Sequence, residues 1–161
     1  STAVATSGFA ISHFSDIKGH VDSKVYNAYT NLGFGFNINS SLNTTGVFSV
    51  SRKKIELNRG QSSYLLHELG HFVAALKHNA DETSEFKSIY RAEKSDYVGN
   101  NKAYVTQDAG EYFAESFRDY TENASALKSQ RPQTYAYISK MVDSISGSDI
   151  NWFRNYYWMY F

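Results

Sequence analysis

Apolar residues recur every three or four positions through the middle of the chain, and this pattern predicts its clearest helix. The recurring apolar positions are Leu65, Leu66, Leu69, Phe72, Val73 and Leu76. Such spacing places the side chains on one face of an α-helix, where they can be buried together. Ser62 or Ser63 stands just before the run and can cap the first turn. The pattern therefore predicts an amphipathic helix that begins near residue 62.

A different pattern upstream of this helix predicts a small sheet. Residues 34–38 alternate between apolar and small or polar side chains, which is typical of a strand. Residues 47–50 and 55–57 are mostly apolar and flank the basic segment 52–54. They predict either a pair of strands or one long strand.

The rest of the chain is predicted to be mainly helical. Apolar spacing predicts helices at residues 21–32, 82–94, 108–121 and 132–146, and also in the aromatic tail at 151–161. Residues 95–107 are predicted to be a loop, either a plain one or a mobile lip over a cleft. A small sheet followed by many helices indicates an α+β fold. No linker interrupts the chain, which predicts one domain over 1–161, with a sheet lobe and the central helix in about 1–78 and a helical lobe in about 79–161.

Composition and charge narrow the classes of function. The 161 residues include 16 Lys plus Arg and 16 Asp plus Glu, so the formal net charge is zero, which argues against a nucleic-acid-binding protein with a strongly basic body. The chain contains no cysteine, which excludes disulfides, thiolate metal sites and a cysteine nucleophile. No apolar run approaches the roughly 20 residues of a transmembrane helix. These features indicate a globular protein, and nothing in them demands an oligomer, so we expect a monomer.

The start of the chain bears on its localisation. It begins at Ser1 rather than at methionine and shows no charged-then-apolar leader. We expect that a signal peptide or an upstream domain has been removed. The lack of cysteine is compatible with export from a bacterium and also with the cytosol. Our expectation is a secreted bacterial protein.

Residues 67–71 read HELGH and lie inside the predicted central helix. His67 and His71 are about one turn apart, so two neutral imidazoles can bind one metal ion from the same helix face. Glu68 lies beside that face and can take a proton from water and later protonate a leaving amine. Zinc suits this chemistry because it is redox-inert and lowers the pKa of bound water to about 7. The motif predicts a zinc peptidase.

A catalytic zinc site requires a third protein ligand. The longer pattern HExxHxxGxxH fails here, because Ala74 and Lys77 occupy its glycine and histidine positions. Glu111 and Glu115 are four residues apart and share a face of the predicted helix at 108–121. Glu111 can bind zinc while Glu115 hydrogen-bonds a ligating histidine. Aromatic neighbours indicate that this segment is buried, and a buried carboxylate requires a cation.

These segments resemble the catalytic domain of anthrax lethal factor and its relatives, the secreted bacterial Pro-Pro endopeptidases. The resemblance covers about residues 60–140. It is carried by HELGH at 67–71, Tyr104 seven positions before Glu111, EYFAESF at 111–117 and PQTYAYI at 132–138. It implies a zincin-like metallopeptidase fold of the HExxH-plus-glutamate type.

The resemblance also implies roles for individual residues. His67, His71 and Glu111 would hold zinc, and Glu68 would be the general base and acid. Glu115 would either support the ligands or make a fourth contact with the metal. Tyr104 would donate a hydrogen bond to the oxyanion formed during peptide hydrolysis, which a neutral phenol is able to do. The chain has no tryptophan before HELGH, where the Pro-Pro enzymes carry one near the cleft, so the resemblance assigns no cleavage preference.

The expected substrate is a peptide or protein in extended conformation. It would add to the strand region at 47–57 through main-chain hydrogen bonds. The basic segment 52–54 would either favour an acidic substrate or protect an exposed sheet edge. The alternative function is a catalytically inactive zincin-like module that docks a larger toxin onto a partner. The intact set of His67, Glu68, His71 and Glu111 argues against this alternative, since a degenerate copy does not need all four.

Overall fold

The amphipathic segments of the sequence form helices in the computed structural model, which describes residues 8–161. The α-helices are α1 (Ser23–Asn31), α2 (Ser62–Leu76), α3 (Ser84–Glu93), α4 (Lys102–Val105), α5 (Ala109–Glu122), α6 (Ala124–Gln130), α7 (Pro132–Asp143) and α8 (Gly147–Tyr156). Short 3-10 helices span Phe14–Ile17, Ala80–Glu82, Lys94–Asp96 and Trp158–Tyr160. The strands are β1 (Gly35–Ile38), β2 (Gly46–Ser49) and β3 (Lys54–Leu57). The predicted α+β class is confirmed, and residues 1–7 of the predicted sheet lobe lie outside the described residues.

The three strands form one sheet in the order β1-β3-β2. β1 pairs with β3 in parallel, and β2 pairs with β3 in antiparallel orientation. The central strand buries Ile55 and Leu57 completely. The region at 47–57 is therefore a strand pair, and the alternative of one long strand is wrong, because the chain turns between β2 and β3, where Lys53 adopts a φ of +53°. β2 is an edge strand of this sheet and packs against α2.

The start of α2 differs from its prediction. Its N-cap is Gln61, and neither Ser62 nor Ser63 caps the helix. Both hydroxyl groups have partners elsewhere: Ser62 Oγ accepts from the Phe9 amide at 2.7 Å, and Ser63 Oγ donates to Glu122 at 2.7 Å. Both serine hydroxyl groups therefore form tertiary hydrogen bonds instead of capping the helix.

The other helix boundaries agree with their predictions to within a few residues, apart from three regions. The region predicted as loop at 95–107 contains α4 and part of a 3-10 helix. α6 has no counterpart among the predictions. The tail helix begins earlier than predicted, at Gly147, and a 3-10 helix follows it. Within the described residues, none of the helices is long and apolar enough to cross a membrane.

Phe72 of α2 joins the sheet to the flanking helices. It is fully buried, and its ring centroid lies 5.0 Å from that of Tyr29 in α1 and 5.4 Å from that of Phe34. Phe48 of β2 and Phe153 of α8 also pack on it, at 6.0 and 6.3 Å. The aromatic tail therefore packs on the body of the protein through Phe153.

α2 and α5 are in close contact at Gly70. A Cβ atom placed on Gly70 would lie 2.6 Å from the carbonyl oxygen of Ala114 and 2.7 Å from its Cα. These neighbours are backbone atoms, so they could yield only if one helix shifted. The missing side chain of Gly70 lets the two helices approach, which brings residues 67 and 71 beside residues 111 and 115.

Gly70→Ala is expected to destabilise the protein. Forcing a methyl group into this contact should lower the free energy of unfolding by about 1–3 kcal/mol, the typical cost of overpacking. Gly147→Ala is the matched control, because it also lies in a helix but has no atom within 4 Å of its missing Cβ. We expect the control to change stability by no more than ~0.5 kcal/mol. Urea denaturation measures both, and equal midpoints for the two variants would contradict the close contact.

Candidate metal centre

The two histidines of the HELGH segment lie one turn apart on α2 and face α5. Their ring centroids are 5.2 Å apart. Glu111, in the first turn of α5, places Oε1 2.9 Å from Nε2 of His67 and 3.4 Å from Nε2 of His71. One ligand atom from each of the three residues lies within 4.8 Å of the other two. The structure thus brings together the three residues predicted as metal ligands.

This donor set fits a zinc ion. Zinc bonds of about 2.0–2.1 Å in tetrahedral geometry separate neighbouring ligand atoms by roughly 3.3 Å. The 3.4 Å between His71 and Glu111 agrees with that separation, and the 2.9 Å between His67 and Glu111 is slightly shorter. Two imidazoles and one carboxylate leave a fourth position for water or substrate, which is the ligand set of catalytic rather than structural zinc sites.

The charges of the cluster favour a cation. Burial alone would lower the pKa of His67, but its hydrogen bonds with Glu111 and Glu115 outweigh burial and raise that pKa to about 10. Burial alone would raise the pKa of Glu111, but its hydrogen bonds with His67 and His71 hold that pKa well below the usual range. The carboxylates therefore stabilise positive charge on this face. A zinc ion can supply that charge by displacing a proton from histidine.

Glu115 supports His67 from behind. Its Oε1 lies 3.0 Å from Nδ1 of His67. Its other oxygen accepts from Nη1 of Arg118 at 2.9 Å and lies 3.3 Å from the Tyr97 hydroxyl group. An Nδ1–H bond to Glu115 holds the tautomer of His67 that keeps Nε2 free for a metal. Sequence analysis identified Glu115 but missed Arg118 and Tyr97, whose roles depend on contacts between separate elements.

Glu68 lies beside the ligands and next to the edge strand. It is 7% exposed, and burial raises the pKa of its carboxyl group. A Cβ atom on Gly46 of β2 would come within 3.0 Å of Glu68 Cγ, so the strand passes close to this side chain. A carboxyl group with a raised pKa exchanges protons closer to neutral pH than an ordinary one.

Tyr104 stands at the mouth of the cluster. Its side chain is 55% exposed. Partial burial and the neighbouring Glu111 carboxylate raise the pKa of Tyr104 to about 12. The phenol therefore stays protonated at neutral pH and remains a hydrogen-bond donor.

A cleft runs past the cluster on both sides. The part beside His67 has a volume of about 320 Å³, and the part beside His71 about 510 Å³. Both parts are lined by Thr44, Gly46, Glu68 and Tyr104. The His67 side is also lined by Ser63, Asn100, Asn101 and Arg118, while the His71 side adds Phe48, Val50, Ala74 and Tyr157. Glu68 and Tyr104, the two shared residues that can transfer or donate a proton, thus lie where the two parts of the cleft meet.

The basic segment 52–54 has partners outside this cleft. Arg52 pairs with the buried Glu56 at 2.9 Å, and Lys54 lies 3.5 Å from the same carboxylate. Lys53 places its Nζ 4.2 Å from the ring centroid of Phe161. These contacts neutralise Glu56 and secure the tail, and they do not place the three basic residues in either part of the cleft.

One protein-family model matches most of the chain. The model described as "Anthrax toxin lethal factor, N- and C-terminal domain" matches residues 11–141. The match includes every residue of the candidate centre and extends well before the segment at 60–140 that carries the resemblance in the sequence. No curated protein matches the chain.

Removing the Glu115 carboxylate should weaken zinc binding. In Glu115→Gln the hydrogen bond to Nδ1 of His67 loses its charge, and we expect a roughly 10–100-fold loss of affinity, as for other partners of metal ligands. Competition with a chromogenic chelator measures the dissociation constant. Glu122→Gln is the matched control, because Glu122 binds Arg118 and Ser63 but neither histidine. Equal affinities in the two variants would show that Glu115 does not orient His67.

Proposed function

The chain belongs to the family of anthrax toxin lethal factor N- and C-terminal domains, and from this premise we propose that it is a zinc-dependent endopeptidase. The family description covers two kinds of domain, so membership alone does not decide between catalysis and binding. The observation that carries the proposal is the convergence of His67, His71 and Glu111 within 4.8 Å of one another, with Glu68 beside them.

His67, His71 and Glu111 would hold the zinc ion. When bound there, zinc would polarise the carbonyl group of the peptide bond and lower the pKa of water to about 7. The protein's own contribution is to fix the ligands. Glu115 holds the ring of His67, and the packing of α2 on α5 holds both elements at one distance.

Glu68 is the proton carrier in this proposal. Its carboxylate accepts the proton of the attacking water and later delivers it to the nitrogen of the leaving amine. Burial supports this role, because it raises the pKa of the Glu68 carboxyl group and brings its two protonation states closer in energy. The Glu68 carboxylate therefore holds a proton taken from water more readily than an ordinary glutamate does.

Tyr104 is the oxyanion donor in this proposal. Its pKa of about 12 keeps the hydroxyl proton in place, and it lines the cleft together with Glu68. A donor aimed at developing negative charge is worth most when water is excluded. The exposed phenol would be covered by the bound substrate itself.

The substrate would be an extended peptide that lies along β2. This edge strand borders both parts of the cleft, and its main-chain groups on the side away from β3 can pair with a peptide. The part beside His67 and the part beside His71 would then receive side chains from opposite sides of the cleaved bond. Secretion from a bacterium stays a prediction.

A catalytically inactive binding module of a larger toxin is the second candidate. It is favoured by the apolar side chains at the end of the chain, where Trp158 is 70% and Met159 is 62% exposed. Such exposure is typical of surfaces that contact a partner. This candidate does not explain why His67, Glu68, His71 and Glu111 lie together.

Cleavage of a diverse peptide library, followed by mass spectrometry, tests the peptidase proposal. We expect zinc-loaded wild type to cleave a subset of peptides. Glu68→Gln should lower turnover by about 10²–10⁴-fold because the proton carrier is lost, while zinc content stays the same. Glu82→Gln is the control, because this nearby carboxylate is exposed and lies outside both parts of the cleft. Absence of cleavage by zinc-loaded wild type across the library would favour the binding module.

Tyr104→Phe isolates the second proposed role. Loss of the hydroxyl group should lower kcat by about 10²–10³-fold, which is typical for removal of one oxyanion donor, with a much smaller change in KM. Steady-state kinetics on the best library peptide measure both constants. A rise in KM at unchanged kcat would instead assign Tyr104 to substrate binding.

A further inference from the structure

Tyr97 is a buried residue at the start of a surface loop. The loop joins the 3-10 helix Lys94–Asp96 to α4, and Val98 next in the chain is 59% exposed, whereas Tyr97 is only 3% exposed. The Tyr97 hydroxyl group lies 3.0 Å from the carbonyl oxygen of Asn100 and 3.3 Å from Oε2 of Glu115. One side chain therefore contacts both the loop that leads into α4 and the carboxylate behind His67.

The loop backbone is folded directly onto this hydroxyl group. A Cβ atom on Gly99 would overlap the Tyr97 hydroxyl oxygen and would lie 2.6 Å from Cζ of the same ring. Only glycine permits so close a passage. Asn101 then adopts a left-handed φ of +54° and is the N-cap residue of α4, which carries Tyr104. The position of the Tyr97 hydroxyl group thus sets the path of the chain toward Tyr104.

The ring of Tyr97 is held in place from the other side. The guanidinium group of Arg131 lies 5.2 Å from the ring centroid, and Arg131 is only 2% exposed. Arg131 is itself fixed by hydrogen bonds to Ser116 at 2.8 Å and Asp119 at 2.6 Å, both on α5. The hydroxyl group is therefore a fixed point of the core rather than a mobile surface group.

A phenol has one proton, so Tyr97 cannot donate fully to both acceptors at once. A bond to Asn100 holds the loop, and a bond to Glu115 strengthens the carboxylate that orients His67. Burial, together with the Glu115 charge, raises the pKa of Tyr97, which keeps this proton in place. The two acceptors compete for the same donor, so a change in the hydrogen bond to one acceptor alters the hydrogen bond to the other.

We infer that Tyr97 is a positioning residue that couples the placement of Tyr104 to the orientation of His67. This inference rests on the proposed function, in which both residues serve one reaction. Tyr97 does not line either part of the cleft, and it acts through Asn100 and Glu115. It links the segment 98–105, which carries Tyr104, to the metal centre, although they belong to different elements.

Tyr90 provides a matched control for the experiment. Its hydroxyl group donates to the backbone oxygen of Thr106, just beyond the other end of α4. It therefore also anchors the segment that carries Tyr104, but it has no hydrogen bond to Glu115 or His67. Tyr97→Phe and Tyr90→Phe each remove one hydroxyl group that anchors this segment, and only the first removes a link to the metal centre.

Hydrogen exchange of residues 98–105 with and without zinc tests the coupling independently of activity. In wild type and in Tyr90→Phe, we expect zinc to slow exchange in this segment by about 3–10-fold, the effect of one hydrogen bond. In Tyr97→Phe the zinc effect should fall below 2-fold. Gly99→Ala, which pushes the loop away from the hydroxyl group, should reproduce that loss. A zinc effect of wild-type size in Tyr97→Phe and in Gly99→Ala would overturn the inference.

A double-mutant cycle gives the kinetic counterpart. Tyr97→Phe should lower kcat by about 10-fold with little change in KM, and its effect should fall to about 3-fold or less in the Tyr104→Phe background, where only its support of His67 remains. A merely structural tyrosine would lower kcat by the same factor in both backgrounds, which would overturn the inference. If zinc binds but no peptide is cleaved, the proposed function fails, while the exchange experiment still decides the role of Tyr97.

Discussion

The candidate centre depends on the contact between the backbone of Gly70 in α2 and that of Ala114 in α5. Gly70 lies between His67 and His71, and Ala114 lies between Glu111 and Glu115, so one close approach of two helices places both histidines beside both carboxylates. A side chain at Gly70 would push the two helices apart. The hydrogen bonds between His67 and the carboxylates of Glu111 and Glu115 could not lengthen enough to persist. The glycine thus serves the chemistry of the site without contributing a functional group to it.

The close contact of α2 with α5 brings several carboxylates together, and their negative charge has to be compensated. Glu68, Glu111 and Glu115 lie around two imidazoles in a partly buried setting, and unpaired buried carboxylates are costly. Arg118 and Tyr97 satisfy one oxygen of Glu115, and the histidines satisfy Glu111. Positive charge at the centre is therefore favoured, while burial leaves Glu68 with a raised pKa. The same packing that forms a cation site also prepares the neighbouring carboxyl group to exchange a proton.

The sequence predicted those parts of the site that follow from helical periodicity. The HELGH spacing sets the relation of the two histidines within one helix, and the four-residue spacing of Glu111 and Glu115 does the same in α5. It could not predict the parts that arise from tertiary contact, namely why position 70 is glycine and which groups hold Glu115. The wrong cap assignment at Ser62 and Ser63 has the same origin, since Phe9 and Glu122 compete successfully for their hydroxyl groups.

The most direct test of the account is isothermal titration of the metal-free protein with zinc at neutral pH, for wild type and Glu111→Gln. The account predicts one equivalent of zinc in wild type. In the variant it predicts a loss of affinity beyond the roughly 10–100-fold that removal of a supporting hydrogen bond costs, because a ligand atom itself is replaced. Absence of zinc binding by wild type, or equal affinity in the two proteins, would contradict the claim that the contact between α2 and α5 forms a metal centre.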